Sequence, residues 1–160
     1  MPKQSAGLLL YRRGDAGIEV LLAHPGGPFW IRKDRGAWSI PKGEFSGDEE
    51  PLAAAKREFA EEIGTAIASA IDGTFINLTP VKQPGGKIVH AFALEFDLNV
   101  ERISSNSFAM EWPPRSGQTQ SFPEVDRAAW FPLPEARHRI QKGQIPILEE
   151  LIRLIPDDRC

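Results

Sequence analysis

A single cysteine, Cys160, among 160 residues excludes an intrachain disulfide, and with it the disulfide-stapled secreted folds. An excess of positive charge is also missing. Lys and Arg number 19 against 22 Asp and Glu, a formal net charge of −3. No global basic surface is therefore available to hold nucleic acid and no DNA partner is indicated, although a local basic patch for phosphate groups stays open. Long apolar runs are absent too: nothing approaches the ~18–20 residues that span a bilayer. Met1–Ser5 and the short Ala6–Tyr11 stretch lack the long apolar region and cleavage site of a signal peptide. What is present is ordinary for a globular protein, with 41% hydrophobic and 26% charged residues. The 14 Gly and 14 Pro fall below the ~25–30% combined share of low-complexity disorder. The expectation is one soluble, cytoplasmic domain over residues 1–160, with no membrane partner and its oligomeric state open.

Short apolar runs at Ala6–Arg12 and Ile18–His24, separated by Gly14-Asp15-Ala16-Gly17, predict a hairpin buried on both faces. Asp48–Ile63 is helical in pattern. Pro51 is tolerated in a first turn, Ala53–Ala55 are strong helix formers, and Gly64 is a natural stop. Thr74–Gln83 and Lys87–Leu98 flank Pro84-Gly85-Gly86 and predict a second hairpin. Ser104–Val125, rich in Ser, Asn, Pro and Gly, reads as a long loop, and such a loop inside a compact domain is more often functional than idle. A strand at Ala128–Leu133 and helices at Pro134–Ile140 and Pro146–Leu154 complete a mixed α/β or α+β sandwich around one central helix.

The chemistry concentrates on that helix. At ~100° per residue, Leu52, Ala55, Phe59 and Ile63 form the core stripe, and Glu58, Glu61 and Glu62 converge on a neighbouring one. A solvated acidic face is the plain alternative. Three features weigh against it: the acids repel one another at i, i+3 and i+4, they sit at the negative end of the helix dipole, and Arg57 alone is placed to compensate on the same helix. A divalent cation relieves all three costs, and hard cations such as Mg²⁺ take oxygen ligands shared among carboxylates, water and phosphate. Upstream, Pro41-Lys42-Gly43-Glu44 begins a glycine-bearing loop that feeds the helix N-terminus, a junction that favours anions and close backbone approach.

Residues 43–65 resemble the Nudix box, Gly-x5-Glu-x7-Arg-Glu-U-x-Glu-Glu-x-Gly-U, through Gly43, Glu49, Arg57, Glu58, Phe59, Glu61, Glu62 and Gly64. Thr65 departs from the aliphatic residue usual at the last position; being β-branched, it is expected to pack similarly. The flanking strands are also similar to the family's. The resemblance to the Nudix hydrolase family implies an α/β/α sandwich with a mixed central sheet, and hydrolysis of a nucleoside diphosphate linked to another group. It implies Mg²⁺ or Mn²⁺, one ion or more, with Glu58 and Glu62 as first ligands, Glu61 as an additional one, and a backbone carbonyl from Lys42 or Gly43. Glu49 and Arg57 match the family's structural ion pair. Many members place a general base shortly before the last strand, where Glu124 stands; a solvent-exposed loop acid is the alternative, and Glu95 and Glu111 are lesser rivals.

Other residues keep two readings. Trp30, beside Phe29, and Trp38 would stack on a purine or pack in the core. Lys42, Arg32, Lys33 and Arg115 would meet polyphosphate or sit as solvated charges. His24, His90 and His138 have no paired metal spacing and read as satisfied structural histidines. The segment Trp38-Ser39-Ile40-Pro41-Lys42-Gly43-Glu44 is similar to that of dinucleoside polyphosphate hydrolases, RNA pyrophosphohydrolases and diphosphoinositol polyphosphate hydrolases. A dinucleoside polyphosphate or nucleoside triphosphate is the expected substrate, with those RNA and inositol substrates as alternatives. A non-catalytic, nucleotide-binding Nudix-like module is the rival from another class, disfavoured because the box keeps all its carboxylates.

Overall fold

The apolar run at the start of the chain becomes the central strand, β1 (Gln4–Gly14). The computed structural model describes residues 3–68, 74–101 and 103–155, so Cys160 and both ends of the expected 1–160 domain lie outside the described residues. β1 turns at Gly17, whose φ of 123° favours glycine, into β2 (Gly17–Pro25). Their side chains alternate between two cores. Ala6, Leu8, Leu10 and Leu21 point to one, while Leu9, Tyr11, Val20 and Leu22 point to the other. This is why the runs are continuously apolar.

Along one edge β1 runs parallel to β6 (Ile88–Glu95). The other edge is shared: Tyr11–Gly14 pair with β2, and Gln4–Gly7 pair with β3 (Lys42–Phe45). β2 and β3 thus diverge from one strand and open a fork. The main sheet runs β4-β6-β1-β2-β9, with β3 on β1 and β5 on β6. Here β4 is Ile76–Asn77, β5 is Val81–Lys82 and β9 is Val125–Pro132. Helix α1 (Pro51–Glu62) covers one face through Ala54, Ala55 and Phe59. Helices α2 (Leu133–Arg139) and α3 (Ile145–Leu154), linked by a 3-10 turn at Lys142–Gln144, cover the other through Ala136, Ile147, Leu148 and Leu151. The result is the three-layer sandwich with a mixed sheet. No helix among the described residues is long and apolar enough to cross a membrane.

The structure departs from the sequence reading in four places. Residues 104–125 are not a long loop: β7 (Ser107–Glu111) and β8 (Thr119–Pro123) form a separate antiparallel hairpin with Phe108 opposite Phe122. Its strands carry no fully buried residue, so no apolar run announces them. The expected strand over Thr74–Gln83 is two short pieces, both pairing β6, because Thr79, whose N–H turns to Glu150, and Pro80, which has none, break the ladder. α1 begins at Pro51 and not at Asp48, after a turn in which Glu49 N–H donates to the Ser46 carbonyl. Finally, Thr65 is exposed, and Ile67, two residues on, fills the core in its place.

Candidate active site

Glu58 and Glu62, on the last two turns of α1, lie against β3 at the fork and are only 9% and 8% exposed. Glu61 is turned further out. The close approach depends on glycine. A Cβ at position 43 would lie 2.0 Å from Glu58 Oε2, and one at position 7 would lie 2.5 Å from the Pro41 carbonyl and 2.6 Å from Lys42 Cβ. The loop ahead of β3 is sewn down from the opposite helical layer. Buried Gln144 accepts the Ile40 N–H at 3.0 Å and donates to Ser39 Oγ at 2.9 Å.

Arg57 is the hub of the charges. Its guanidinium grips Glu49 with two bonds of 2.9 Å, and its Nη1 donates to Glu58 Oε1 at 2.8 Å and Glu61 Oε1 at 3.2 Å. The Glu49–Arg57 pair ties the loop to the helix. Burial pushes the Glu62 carboxyl up to about 8, helped by the charges of Glu58 and Glu124, while the Lys42 ammonium and a backbone hydrogen bond from Lys42 oppose it. Glu58 is raised for the same first reason, with Arg57 opposing and Glu61 and Glu124 adding. Burial lowers the Lys42 ammonium, and Lys87 lowers it further, against Glu62, Glu44 and Glu58.

Glu124 therefore lies within electrostatic reach of both buried glutamates. It stands at the junction of β8 and β9. Its N–H donates to the Asn106 carbonyl at 2.8 Å, and its carbonyl accepts the Gly26 N–H at 2.9 Å. The rivals are engaged elsewhere: Glu95 faces Arg13 at 3.5 Å, and the Glu111 carboxylate accepts the N–H groups of Arg115 and Gly117 to close the hairpin loop.

Among the described residues no three acidic, imidazole or thiol groups stand in a closed coordination set. Glu58 gives one oxygen to Arg57, and Glu62 leans on Lys42. The donors nevertheless suit a hard divalent cation: carboxylates destabilised by burial and by one another, on a cradle that a side chain at position 43 would fill.

Trp38 corrects the sequence reading. It is 3% exposed, its ring meets His24 and Phe131 edge to face, and its indole N–H donates to Asp34 at 2.7 Å. It belongs to the core and presents no face to a base. Trp30 is exposed, with Lys33 over its ring. Arg32 and Lys33 border a cleft of about 810 Å³ between the 26–33 loop and the β7–β8 hairpin. Arg115 sits on the exposed hairpin tip, away from the lining of that cleft. His24 is fully buried with both ring nitrogens facing oxygen, Asp126 Oδ1 at 2.9 Å and the Lys33 carbonyl at 2.6 Å, and is a satisfied structural histidine. Sequence reasoning missed Gln144, which carries no local signal. It also missed the hairpin aromatics Phe108, Trp112 and Phe122, whose two-residue period around Met110 and Gln120 was the available clue.

A family model described as NUDIX domain matches residues 1–151. A search of curated proteins finds no significant match. Among solved structures, the chain is similar to the NUDIX domain of Shewanella oneidensis NrtR complexed with ADP ribose, at 16% identity and TM-score 0.64, covering 97% of this chain and 90% of that one. It is also similar to an Ap4A hydrolase of C. elegans in a binary complex, at 19% identity and TM-score 0.57, covering 95% and 96%. A third neighbour is the bifunctional NMN adenylyltransferase/ADP ribose pyrophosphatase of Francisella tularensis complexed with AMP and a Mn ion, at 13% identity and TM-score 0.63, covering 96% of this chain and 42% of that one. At these identities the likeness speaks for the fold, and it agrees with the family match over nearly the whole chain. With the full set of box carboxylates gathered at the fork of β1, the chain belongs to the NUDIX family of hydrolases.

Proposed function

We propose that this chain is a divalent-metal-dependent pyrophosphohydrolase acting on a nucleoside diphosphate linked to another group, most readily a dinucleoside polyphosphate or nucleoside triphosphate. One observation carries the reading: Glu58 and Glu62 are buried one turn apart on α1, with Glu58 packed against a loop that only glycine at 43 leaves open. Similar structures that hold ADP ribose or AMP, and one that is an Ap4A hydrolase, support a nucleotide substrate.

Mg²⁺ or Mn²⁺, when bound, would neutralise phosphate charge and hold the reacting oxygens in place. Glu58 and Glu62 would hold it, joined by Glu61 and by the carbonyl of Lys42 or Gly43. Arg57 keeps Glu58 and Glu61 from splaying apart, and through Glu49 keeps the loop against the helix. Lys42, a cation amid these acids, draws the polyphosphate toward them. Glu124 accepts a proton from water as its oxygen bonds to phosphorus, and the bridging P–O bond breaks to release two phosphate-bearing products.

Turnover of ATP and diadenosine tetraphosphate should require Mg²⁺ or Mn²⁺ and stop in EDTA. Glu124→Gln should lower kcat by about 10²–10⁴-fold with little change in KM, the range of a lost general base. Glu95→Gln and Glu111→Gln should stay within a few-fold of the parent. Nucleotide binding without turnover under either metal would make the chain a binding module, and a near-normal Glu124→Gln would move the base elsewhere.

A further inference from the structure

We infer that the cleft between the 26–33 loop and the β7–β8 hairpin holds the nucleobase of the substrate and so sets specificity for a base-bearing pyrophosphate. The inference deepens, and rests on, the pyrophosphohydrolase reading.

The cleft has a volume of about 810 Å³ and is walled by Phe29 and Ile31 on the loop and by Trp112 and Phe122 on the hairpin. Phe29 and Ile31 are 59% and 62% exposed. Large apolar side chains left in water together on one site mark a place meant to be covered. Size, apolar walls and a few placed polar groups match a small-molecule site. The charges at its edge narrow the occupant. Arg32 and Lys33 line it together with Asp126, whose carboxylate is engaged by His24, so the ligand is planar or apolar at one end and anionic at the other. A nucleotide has that shape, and aromatic side chains hold bases by their π-faces.

The walls are built in advance. Phe29 meets Trp112 edge to face at 5.5 Å, joining loop to hairpin. A Cβ at Gly27, where φ is 98°, would lie 2.9 Å from Phe108, so glycine there lets the loop settle on the hairpin. His24 anchors the far end of the loop through the Lys33 carbonyl. The cleft also adjoins the segment that carries Glu124. Pro123 lines it and the next residue is Glu124, whose carbonyl accepts the N–H of Gly26, the residue before the cleft-lining Gly27. A base seated against Phe29, Ile31 and Trp112 would extend its phosphates past Arg32 and Lys33 toward Glu124, Glu58 and Glu62.

The test is calorimetric titration of the full chain with AMP and with ribose 5-phosphate in EDTA, which removes any dependence on metal and catalysis. AMP should bind more tightly than ribose 5-phosphate. Phe29→Ala and Trp112→Ala should each cut that preference by about 5–100-fold, the range of one lost base–aromatic stack, and Trp112→Phe should restore most of it. Phe29 is so exposed that its variant keeps the test alive should Trp112→Ala misfold. Equal binding of the two probes, or a preference untouched by both alanine variants, overturns the inference. So does a dimer in solution that Ile31→Lys dissociates, since the face would then be an interface between copies. Pyrophosphate turnover with a base-blind cleft would sink this inference alone; AMP binding lost in both alanine variants, with no turnover of any pyrophosphate, would sink the hydrolase reading alone.

Discussion

Helices α1 and α3 begin alike and end differently. Both carry proline in their first turn, neither has a side-chain cap, and each contains a Glu-Glu pair, Glu61-Glu62 in one and Glu149-Glu150 in the other. On α3 the acids sit outside. Glu149 faces Arg137 across 3.8 Å of surface, and Glu150 accepts the N–H and hydroxyl of Thr79. The buried side is wholly apolar: Ile147, Leu148 and Leu151. On α1 the buried side includes Glu58 and Glu62 with Ala54, Ala55 and Phe59, and no basic residue occupies the last turn to balance the dipole. Nothing about folding asks for that. A helix built for stability keeps its acids in water or on a partner, as α3 does; α1 accepts buried, mutually repelling carboxylates where a cation and a polyphosphate can use them.

The largest expected effect breaks the comparison at its centre. Glu58→Gln and Glu62→Gln keep shape and remove charge, and each should lower kcat by ~10³-fold or more. The metal-free protein should be as stable as the parent, or more so, because a buried ionisable carboxyl has gone. Glu149→Gln on α3 should alter neither. Steady-state kinetics and thermal melts with and without Mg²⁺ check both halves. A Glu62→Gln variant keeping more than about a tenth of parental turnover would remove it from the ligand set.

A second effect follows from the Glu62 carboxyl, raised from 4.5 to about 8 by burial and neighbouring charge. The folded state holds a proton that the unfolded chain releases. Stability is therefore fully present below about 4.5 and is lost as pH rises toward 8, with a slope of at most ~1.4 kcal/mol per pH unit. His90, lowered by burial, works in the opposite sense nearer neutrality, so the informative quantity is the parent minus Glu62→Gln. That difference in melting temperature should widen against the parent between pH 5 and pH 8 in EDTA. It should shrink when Mg²⁺ is added, since the cation takes the proton's place. A flat difference would mean that Glu62 is charged in the metal-free fold.

How much of this was legible in the chain follows physical lines. β1 and β2 announce themselves because both their faces are buried, and α1 because its box spacing is demanding. The hairpin β7–β8 is faint because neither strand has a fully buried residue and its two-residue aromatic period is short; beyond its own ladder it is held by Phe29 and Gly27 across the cleft, contacts that no local window contains. Trp38 was ambiguous for a related reason. An indole is equally at home in a core or on a base, and only His24 and Phe131, distant in sequence, decide for the core. Glu124 is singled out through the family resemblance. Local chemistry alone left it level with Glu95 and Glu111, until folding turned those two toward Arg13 and the hairpin tip.

The smallest effect tests the benign side of the comparison. Glu150 gives one oxygen to Thr79 N–H at 2.7 Å and the other to Thr79 Oγ1 at 2.8 Å, fixing the break between β4 and β5 onto α3. Glu150→Gln keeps one acceptor and turns the other into a donor, so the amide can satisfy the backbone N–H or reorganise around the hydroxyl, which itself both gives and accepts. The site is near the surface, where water replaces what is lost, so the cost should be about 1 kcal/mol or less, or ~2–4 °C in Tm for a chain of this size. Catalysis should be untouched, because Thr79 and Glu150 lie with α3 on the face of the sheet opposite α1. Melting curves and kcat for the single variant read both quantities. A drop in kcat comparable to that of Glu58→Gln would show that the two helical layers are coupled through the sheet, and would end the division between a structural and a chemical helix.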